Sequence, residues 1–378
     1  MVIFLRANDL TSDPRALKYL DYYRENDISY LVICWNRSKK NIEYPSNYIV
    51  YNKQVEYNLG KKAILSRISW GLFIFRKIFH LRKQCNVIHA CDFDTVLPAL
   101  PFIFLGKRVI FDIFDMFSYT IRTNKIVDFL IGLLENVSVR LSSYVIICEE
   151  ERINQIWPAF RNPCTFVLPN IPIEPDPETF DFTPDGIDAA KHEGKLILSY
   201  VGAFYHGRFL TEIMETIAGL DGVILIMGGY GDREIEEACR QNAVKNSNIL
   251  YLGRISYKKA LAVMRYSDLL IGMYCATNRN HYYAAPNKFY ESLMLKKPLI
   301  TSANTAVGDK VIKYDTGFAI HDSKEDLTSL LLLLQKQQVL IDEKSINCGR
   351  VWEKYFKDYV AHFFSAHYAG MIKAGKRG

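Results

Sequence analysis

The chain has 378 residues, 49% of them hydrophobic and 23% charged, and this composition is ordinary for a globular protein. A chain of this length is too long for one typical core, so two domains are predicted. The net charge of +6 is confined to residues 1–170, which contain 22 Lys and Arg against 16 Asp and Glu, whereas residues 171–378 contain 25 of each. The longest apolar runs, near Leu97–Leu105 and Leu330–Leu334, fall well short of the ~20 residues that a membrane-spanning helix needs.

The first residues, MVIFLRANDL, lack the basic flank and cleavage site of a signal peptide and predict a first β-strand. The eight cysteines include no Cys-x-x-Cys pair and no spacing typical of zinc sites. We therefore expect buried free thiols in a reducing compartment and a cytoplasmic protein.

Strand-like runs alternate with helical patterns along the whole chain, which predicts an α/β fold with parallel sheets. The strands predicted in the first half are Val2–Arg6, Tyr30–Trp35, Tyr48–Tyr51, Val87–Ala90, Arg108–Asp112, Tyr144–Cys148 and Thr165–Leu168. The helices predicted there are Pro14–Asn26, Lys61–Gln84, Thr95–Phe104, Lys125–Leu141 and Glu149–Trp157.

A break in this alternation divides the chain. Residues 171–194 contain four prolines and a cluster of acids without apolar periodicity, which predicts a linker. Residues 1–170 and 195–349 are then two Rossmann-like, doubly wound domains, with ligand bound in a central cleft at the carboxyl ends of their strands. The strands predicted in the second domain are Lys195–Val201, Val223–Met227, Ile249–Leu252, Leu269–Met273 and Pro298–Thr301.

Two glycine-containing strand ends mark the second half. The stretch LILSYVGAFYHGRFLTEIM (196–214) predicts a strand ending at Gly202, a loop with Gly207 and Arg208, and a helix whose N-terminus can hold a phosphate. An ordinary strand–turn–helix with a solvated arginine is the alternative. The second, VILIMGGYGD (223–232), lacks the GxGxxG spacing, which argues against a nicotinamide cofactor.

The stretch AAPNKFYESLM (284–294) predicts a helix with Lys288 in its first turn. Free N–H groups and a partial positive charge at that end disfavour a cation by roughly 0.3–1 kcal/mol unless an anion lies nearby. This conflict predicts a functional site.

Taken in order, these segments resemble the nucleotide-sugar domain of the retaining family 4 glycosyltransferases of the GT-B fold. The matching segments span about 120 residues and are YVG…GR (200–208), IMGGYG (226–231), YLGRISY (251–257), YSDLLIGMY (266–274), APNKFYESLMLKKPLIT (285–301) and YDTGFAI (314–320). In the first half NDLTSDPRALKYL (8–20) resembles the loop and first helix of these enzymes. VIHACDFDTVLPAL (87–100) and RVIFDIFD (108–115) resemble the strand ends that face the acceptor, and FVLPNIP (166–172) resembles the stretch before the domain crossover. Pro14 fits the first helical position there, with Ser12 or Asp13 as cap.

The resemblance implies a retaining hexosyltransferase-type enzyme that moves a sugar from a nucleotide-diphospho-sugar to an acceptor. Arg208 and Lys288 match the residues that neutralise the donor diphosphate, and Glu291 matches the carboxylate that contacts the ribose; a surface ion pair with Lys288 is the alternative for Glu291. Because fixed cations stabilise the leaving diphosphate, no metal and no cofactor are expected. The further donor-binding residues implied are Gly202, Ala203, Phe204, Gly229, Arg254, Ile255, Ala285, Pro286 and Asn287.

Acceptor binding is implied for Asn8, Arg15, His89 and Asp92, and Asp92 is also a catalytic candidate. Two positions depart from the family. Tyr283 stands where a first glutamate usually contacts the sugar, and Cys91 stands at the second histidine of a His-x-His pattern. Backbone amides near Ala284–Asn287 are the expected substitute for the glutamate. Asp92 or His89 is expected to make the sugar or acceptor contact in place of the second histidine, with a satisfied structural histidine as the alternative for His89.

Residues 60–84 contain seven Lys and Arg and no acid, interleaved with aromatic side chains. This pattern predicts peripheral contact with an anionic membrane and a saccharide or lipid-linked acceptor, as in surface polysaccharide assembly; an ordinary domain helix is the alternative. No RNA or DNA motif accompanies the basic stretch, so no nucleic-acid partner is expected. The family also closes with a helix that crosses back onto the first domain, a role that suits the aromatic residues of 350–378.

Two other functions share the predicted fold. A GT-B nucleotide-sugar epimerase would bind the same donor but needs acid–base carboxylates and histidine at the cleft, and the second domain offers little beyond His206, His281 and Glu291. A catalytically silent GT-B partner protein is motivated by Tyr283 and Cys91.

Overall fold

The computed structural model describes residues 1–10, 13–37, 41–54, 61–120, 124–180, 194–275 and 279–373, with the backbone alone for 61–64 and 279. The chain forms two compact units. One contains Met1–Pro169 together with Val360–Gly378, and the other contains Asn170–Tyr359. The predicted linker lies largely outside the described residues, and so does Ser12.

The first unit contains a parallel sheet of seven strands in the order β3-β2-β1-β4-β5-β6-β7. The order reverses between β1 and β4, which creates the switch point where doubly wound sheets bind ligands. The strands are β1 (Val2–Arg6), β2 (Tyr30–Asn36), β3 (Tyr48–Asn52), β4 (Val87–Cys91), β5 (Arg108–Ile113), β6 (Tyr144–Ile147) and β7 (Thr165–Val167). The α-helices before the crossover are α1 (Pro14–Glu25), α2 (Lys61–Leu81), α3 (Phe93–Ala99), α4 (Phe117–Thr120) and α5 (Lys125–Leu141).

The second unit repeats this plan with six parallel strands in the order β10-β9-β8-β11-β12-β13. Its switch point lies between β8 and β11. The strands are β8 (Leu196–Phe204), β9 (Val223–Gly231), β10 (Ile249–Tyr251), β11 (Leu269–Gly272), β12 (Leu299–Ser302) and β13 (Gly317–Ile320). The helices are α6 (Leu210–Ala218), α7 (Arg233–Lys245), α8 (Tyr257–Tyr266), α9 (Arg279–Tyr282), α10 (Asn287–Leu295), α11 (Ala306–Tyr314), α12 (Lys324–Lys336) and α13 (Val339–Val351).

The predicted class, two doubly wound parallel α/β sheets, is confirmed, but several element boundaries were wrong. The helix predicted at Thr95–Phe104 stops at Ala99 and continues as a 3₁₀ turn, Leu100–Leu105, because Pro101 cannot donate the next helical hydrogen bond. The helix predicted at Glu149–Trp157 is a 3₁₀ turn at Glu150–Gln155. Cys164 is exposed and Cys275 half-buried, against the expectation of buried thiols; the other six are buried.

Each face of the first sheet buries a different kind of core. Alternate residues of the strands pack under α2, α3 and α5 in an apolar cluster that includes Trp35 and Trp70. On the other face, the Phe4 and His89 rings contact each other and Tyr19 of α1, and His89 also contacts Tyr368 of the C-terminal segment. No helix within the described residues is both long and apolar enough to cross a membrane.

The C-terminal segment continues as short helical pieces with two wider π-helical turns, Trp352–Phe356 and Phe364–Tyr368. The second turn places the Tyr368 hydroxyl between two buried partners in the first unit. It lies 2.7 Å from His89 Nδ1 and forms a hydrogen bond with the Tyr23 hydroxyl. One phenol thus joins the C-terminal segment to β4 and α1.

We predict that Tyr368→Phe destabilises the first unit by about 1–3 kcal/mol, because it leaves the buried His89 and Tyr23 polar groups without this partner. Thermal unfolding gives the size of the loss, and hydrogen exchange of residues 360–373 localises it. Tyr355→Phe, at an exposed tyrosine, is the matched control. Unchanged exchange in Tyr368→Phe would contradict the assigned role.

Candidate functional site

Lys288 occupies the first turn of α10, which begins after Pro286. Its side chain runs past Gly272 at the end of β11, where an added Cβ would lie 3.2 Å from Lys288 Cδ. Lys288 is 8% exposed, and its Nζ lies 3.8 Å from Glu291 Oε2. Burial lowers the pKa of Lys288 and the nearby Arg208 cation lowers it further, while Glu291 raises it. The sequence has therefore buried an ammonium group at the positive end of a helix beside a second cation.

Arg208 lies in the loop that follows β8, at the switch point of the second sheet. Its guanidinium carbon sits 4.0 Å above the centre of the Tyr274 ring. Its Nη1 atom is buried and has no hydrogen-bond partner among the described residues. An unmatched, charged donor costs about 1–3 kcal/mol or more, so Arg208 and Lys288 together form a site with affinity for an anion.

Glu291 is 4% exposed and lies one turn after Lys288 on α10. Tyr257 lies near enough for the Glu291 charge to raise the pKa of its phenol, in addition to the larger effect of burial. Glu291 is thus not the surface ion pair considered from sequence. It is a buried carboxylate that forms an ion pair with Lys288 and acts electrostatically on Tyr257 and Tyr274.

Close approach of β8 and β9 shapes the neighbouring strand ends. Gly202 and Gly229 pair across the two strands. A Cβ on Gly229 would lie 1.8 Å from the Gly202 carbonyl oxygen, and its φ of 156° also favours glycine. Ala203 and Phe204 complete β8, and the Gly229 N–H donates to the Gly253 carbonyl. These contacts hold three predicted strand ends together.

The remaining predicted donor-binding residues lie on two further segments of the second unit. Arg254 is exposed and stacks 4.1 Å from the Tyr230 ring, next to the half-buried Ile255. The Ala285 carbonyl accepts a hydrogen bond of 2.9 Å from Asn170, Pro286 is buried, and Asn287 is exposed at the start of α10. Their contacts with a donor stay predictions.

Tyr283, at the position of the expected glutamate, stacks edge-on against Tyr282 with ring centres 4.8 Å apart. The same short segment places His281 against the loop of Arg208. His281 Nδ1 lies 3.0 Å from the Cys275 carbonyl oxygen, and a Cβ on Gly207 would lie 2.9 Å from its ring. Aromatic side chains here stand where the family would place a carboxylate.

In the first unit, an ion-pair network spans the switch point between β1 and β4. Arg6, which the sequence reasoning missed, ends β1 and forms ion pairs with Asp13, at 2.6 Å, and with Asp92. Asn8 donates to Asp13 at 3.1 Å, and Asp13 caps α1 by accepting the Ala16 N–H at 3.1 Å. The cap predicted at Asp13 is confirmed.

Asp92 follows β4 with φ of 68°, an uncommon conformation that ordinary residues adopt at a cost. It accepts the backbone N–H groups of Phe114, at 2.9 Å, and Asp115, at 3.3 Å. Burial raises its pKa to about 6, although the Arg6 charge and these hydrogen bonds oppose the shift. The Asp92 side chain is partly exposed and its backbone is strained. Its catalytic and acceptor-binding roles stay predictions.

His89 and Arg15 are enclosed in the first unit, and their contacts favour an internal role. His89 is 0% exposed, packs on Tyr19 and bonds Tyr368. Arg15 donates to both oxygens of Asp112 and to the Leu168 carbonyl. Although burial raises the pKa of Asp112, the Arg15 charge outweighs it and holds the pKa at about 2. Binding of the acceptor by His89 and Arg15 stays a prediction, and the internal hydrogen bonds of both side chains do not favour it.

His89, Cys91 and Asp112 have potential ligand atoms within 4.8 Å of one another. The site does not suit a cation, because Arg15 already neutralises Asp112 and burial raises the pKa of the Cys91 thiol well above its usual range. Burial also lowers the pKa of Lys18 on α1 to about 7, with Arg15 acting in the same direction. Arg15 is therefore the cation that neutralises Asp112 in the interior of the first unit.

The sequence reasoning also passed over two tyrosines of the second unit that lie inside quoted motifs. Tyr257 lies near Glu291, whose charge raises the pKa of its phenol, and the Arg208 guanidinium lies over the Tyr274 ring. The available signal was position alone: Tyr274 follows β11, and Tyr257 starts α8 just after β10. Arg6 is likewise the last residue of β1, so a search for polar residues at the carboxyl ends of strands would have identified all three.

The sequence matches no protein-family model and no curated protein. Among solved structures, the fold is similar to one described as trehalose-6-phosphate from E. coli bound with UDP-2-fluoro glucose, at 12% identity, TM-score 0.73 and 100% coverage of both chains. It is also similar to WaaG, a glycosyltransferase involved in lipopolysaccharide biosynthesis, at 13% identity, TM-score 0.68 and coverage of 99% of this chain and 100% of that one. A third similar structure is that of a putative UDP-N-acetylglucosamine 2-epimerase from Listeria monocytogenes, at 12% identity, TM-score 0.65 and coverage of 100% of this chain and 98% of that one.

At these identities the similarity establishes the fold. The two doubly wound parallel sheets are those of the GT-B architecture, and the predicted fold class is confirmed.

We predict that Glu291→Gln lowers the pKa of Lys288 further, because it removes the charge that opposes the effects of burial and Arg208. The pH dependence of Lys288 acetylation, followed by peptide mass spectrometry, should shift to lower pH. Glu237→Gln, at an exposed carboxylate of the same unit, is the control and should leave the curve unchanged. A shift to higher pH in Glu291→Gln would contradict the assigned electrostatics.

Proposed function

We propose that the chain is a retaining glycosyltransferase that moves a sugar from a nucleotide-diphospho-sugar to a saccharide or lipid-linked saccharide acceptor. The observation that carries this proposal is the pair of cations at the switch point of the second unit. Arg208 has a buried donor without a described partner, and Lys288 has a pKa lowered by burial. A diphosphate supplies the anion that both groups need.

In this proposal the bond between the sugar C1 and the terminal phosphate oxygen breaks while negative charge develops on the departing nucleoside diphosphate. Arg208 and Lys288 stabilise that charge more strongly in the transition state than in the bound donor. The acceptor oxygen bonds to C1 on the same face, and its proton passes to an oxygen of the departing phosphate. This same-face route gives retention, as the family resemblance implies.

Glu291 is proposed to hold the donor ribose by accepting hydrogen bonds from its hydroxyl groups. Its carboxylate is kept near Lys288 and Tyr257 by the contacts described above. Because Arg208 and Lys288 supply fixed positive charge at the diphosphate, we propose that transfer needs no metal ion. The rate should then be the same with a chelator as with added Mg²⁺.

Helix α2 supports a proposed peripheral contact with an anionic membrane and a role in surface polysaccharide synthesis. One face packs into the core through Trp70, Ile74 and Ile78. The opposite face exposes apolar side chains at helical spacing, with exposed fractions of 64% for Leu65, 56% for Ile68, 55% for Leu72, 39% for Phe75 and 44% for Phe79. Arg76 is exposed on the same helix and Lys83 is exposed just after its end, while the side chains of Lys61 and Lys62 lie outside the described residues. Exposed cations beside an apolar stripe suit an interface with anionic lipid.

An epimerase is the second candidate, favoured by the structural similarity to the putative 2-epimerase. The catalytically silent partner protein remains the third, motivated by Tyr283 and Cys91. A thermal-shift panel of nucleotide sugars identifies the donor, because binding raises the apparent stability. Incubation with that donor, with and without lipid-linked saccharides, then separates the three. A glycosylated acceptor supports transfer, an altered sugar formed from donor alone supports epimerisation, and binding of no donor supports the silent protein.

We predict that Arg208→Ala and Lys288→Ala each lower the transfer rate by about 100-fold or more, as expected for loss of a group that stabilises transition-state charge. Each variant should also weaken UDP or GDP binding in calorimetry. Arg240→Ala, which removes an exposed arginine of the same unit, is the control. Equal rates for Arg208→Ala and Arg240→Ala would contradict the proposed role of Arg208.

We predict that the double substitution Ile68→Gln and Leu72→Gln weakens flotation with phosphatidylglycerol vesicles by about tenfold or more, because two apolar side chains no longer enter the lipid layer. Vesicles of phosphatidylcholine alone should bind wild type only weakly. Val244→Gln, at a side chain that is 88% exposed in the second unit, is the matched control. Equal flotation of the double variant and the control would contradict membrane contact through α2.

A further inference from the structure

Tyr274 and Arg208 lie on the two loops that leave the switch point of the second sheet. Arg208 follows β8 and Tyr274 follows β11, the two strands that separate the halves of that sheet. A backbone hydrogen bond of 3.0 Å, donated by Cys275 to the Gly207 carbonyl, ties the loops together next to both residues. The position of the Tyr274 ring is therefore fixed relative to the backbone that carries Arg208.

The base of Tyr274 is anchored independently of Arg208. Its backbone N–H donates to Ser302 Oγ at 2.8 Å, and Ser302 Oγ donates to Asp322 at 2.5 Å. The His281 ring approaches Tyr274 edge-on, with centres 6.4 Å apart. The backbone hydrogen bond and the His281 ring hold the Tyr274 side chain in place, and the Arg208 guanidinium carbon lies 4.0 Å from the centre of the Tyr274 ring.

Tyr274 lies near two opposite charges, those of Arg208 and Glu291. Burial raises the pKa of Tyr274, Arg208 opposes the shift, and Glu291 adds to it, so the phenol lies within reach of both charges. A guanidinium near a carboxylate readily forms a forked pair that would use its donors. Here Glu291 forms an ion pair with Lys288, and Arg208 Nη1 has no partner among the described residues.

We infer that Tyr274 is a positioning residue that holds the Arg208 guanidinium flat against its ring and away from Glu291. The unpartnered edge of Arg208 then stays available for the diphosphate of the nucleotide donor. Stacking on an aromatic face is suited to this, because it fixes the guanidinium plane without occupying its N–H donors. The diphosphate part of the inference rests on the proposed function, whereas the stacking part does not.

The test compares Tyr274→Leu, which removes the ring, with Tyr274→Phe, which keeps the ring and removes the hydroxyl. The first readout needs no nucleotide: the rate at which phenylglyoxal modifies Arg208, followed by peptide mass spectrometry in the full chain. We expect a several-fold faster rate in Tyr274→Leu and a rate near that of wild type in Tyr274→Phe. Tyr274→Met provides a second variant without the ring should Tyr274→Leu yield little folded protein.

The second readout is UDP affinity by calorimetry, measured in wild-type and Arg208→Ala backgrounds. Loss of the ring should weaken UDP by ~3- to 30-fold in the wild-type background, the range expected for an aromatic–cation contact. It should have no further effect in Arg208→Ala, because Tyr274 acts through Arg208.

Equal modification rates in wild type, Tyr274→Phe and Tyr274→Leu would overturn the positioning role, whatever the nucleotide data show. An equal loss of UDP affinity in both backgrounds would overturn it as well, because Tyr274 would then contact the nucleotide directly. If modification accelerates in Tyr274→Leu while wild type binds no nucleoside diphosphate, the stacking role is supported and the proposed function fails.

Discussion

The second unit is organised around two cations, Arg208 and Lys288, beside which the described residues place one carboxylate, that of Glu291, 3.8 Å from the Lys288 ammonium. Lys288 is buried in the first turn of α10, where the helix end already carries partial positive charge, and Arg208 lies close enough to lower its pKa further. The surrounding backbone accommodates this unfavourable arrangement. Gly272 leaves room for the lysine stem, and the paired Gly202 and Gly229 allow β8 and β9 to approach closely. A protein that maintains such a cost has a use for the anion that relieves it.

The first unit shows how the same sheet topology behaves when its cation is already neutralised. Arg6 ends β1 at the switch point, as Arg208 follows β8, but Asp13 and Asp92 flank Arg6 and pair with it. Arg15 is likewise paired with Asp112 in the interior. The two units therefore differ in charge balance at equivalent places, and the unsatisfied positive charge described here belongs to the second. This difference favours donor binding by the second unit and is independent of any similarity to other proteins.

Much of the architecture could be predicted from the sequence, because parallel strands that are buried on both faces appear in the sequence as short, regularly spaced runs of apolar residues. The exceptions have local causes. Proline ended the predicted Thr95–Phe104 helix early, and β13 was seen only as part of a motif because its four residues, Gly317–Ile320, are half-buried rather than buried. The anomaly at Lys288 was visible in one short segment, since it violates a rule of helix ends that holds without tertiary information.

The contacts between distant segments could not be predicted in the same way. Tyr274 carries Arg208 only because β8 and β11 are neighbours in the sheet, and no spacing along the chain encodes that. His89 looked like a ligand-binding residue, yet the partner that encloses it, Tyr368, is 279 residues away. The exposed face of α2 was also hidden, because an alternation of cations and aromatic residues does not reveal which side a helix buries.

The proposed need of Lys288 and Arg208 for an anion in addition to Glu291 is tested most directly by proton linkage. The pKa of Lys288 lies below its usual value of 10.5 in the free protein, and a bound diphosphate should raise it. UDP titrations in Tris and HEPES at several values between pH 7 and 10, with their different ionisation enthalpies, report protons taken up on binding. The account predicts net proton uptake in wild type and its loss in Lys288→Met. UDP binding with no uptake across this range, or with the same uptake in Lys288→Met, would contradict it.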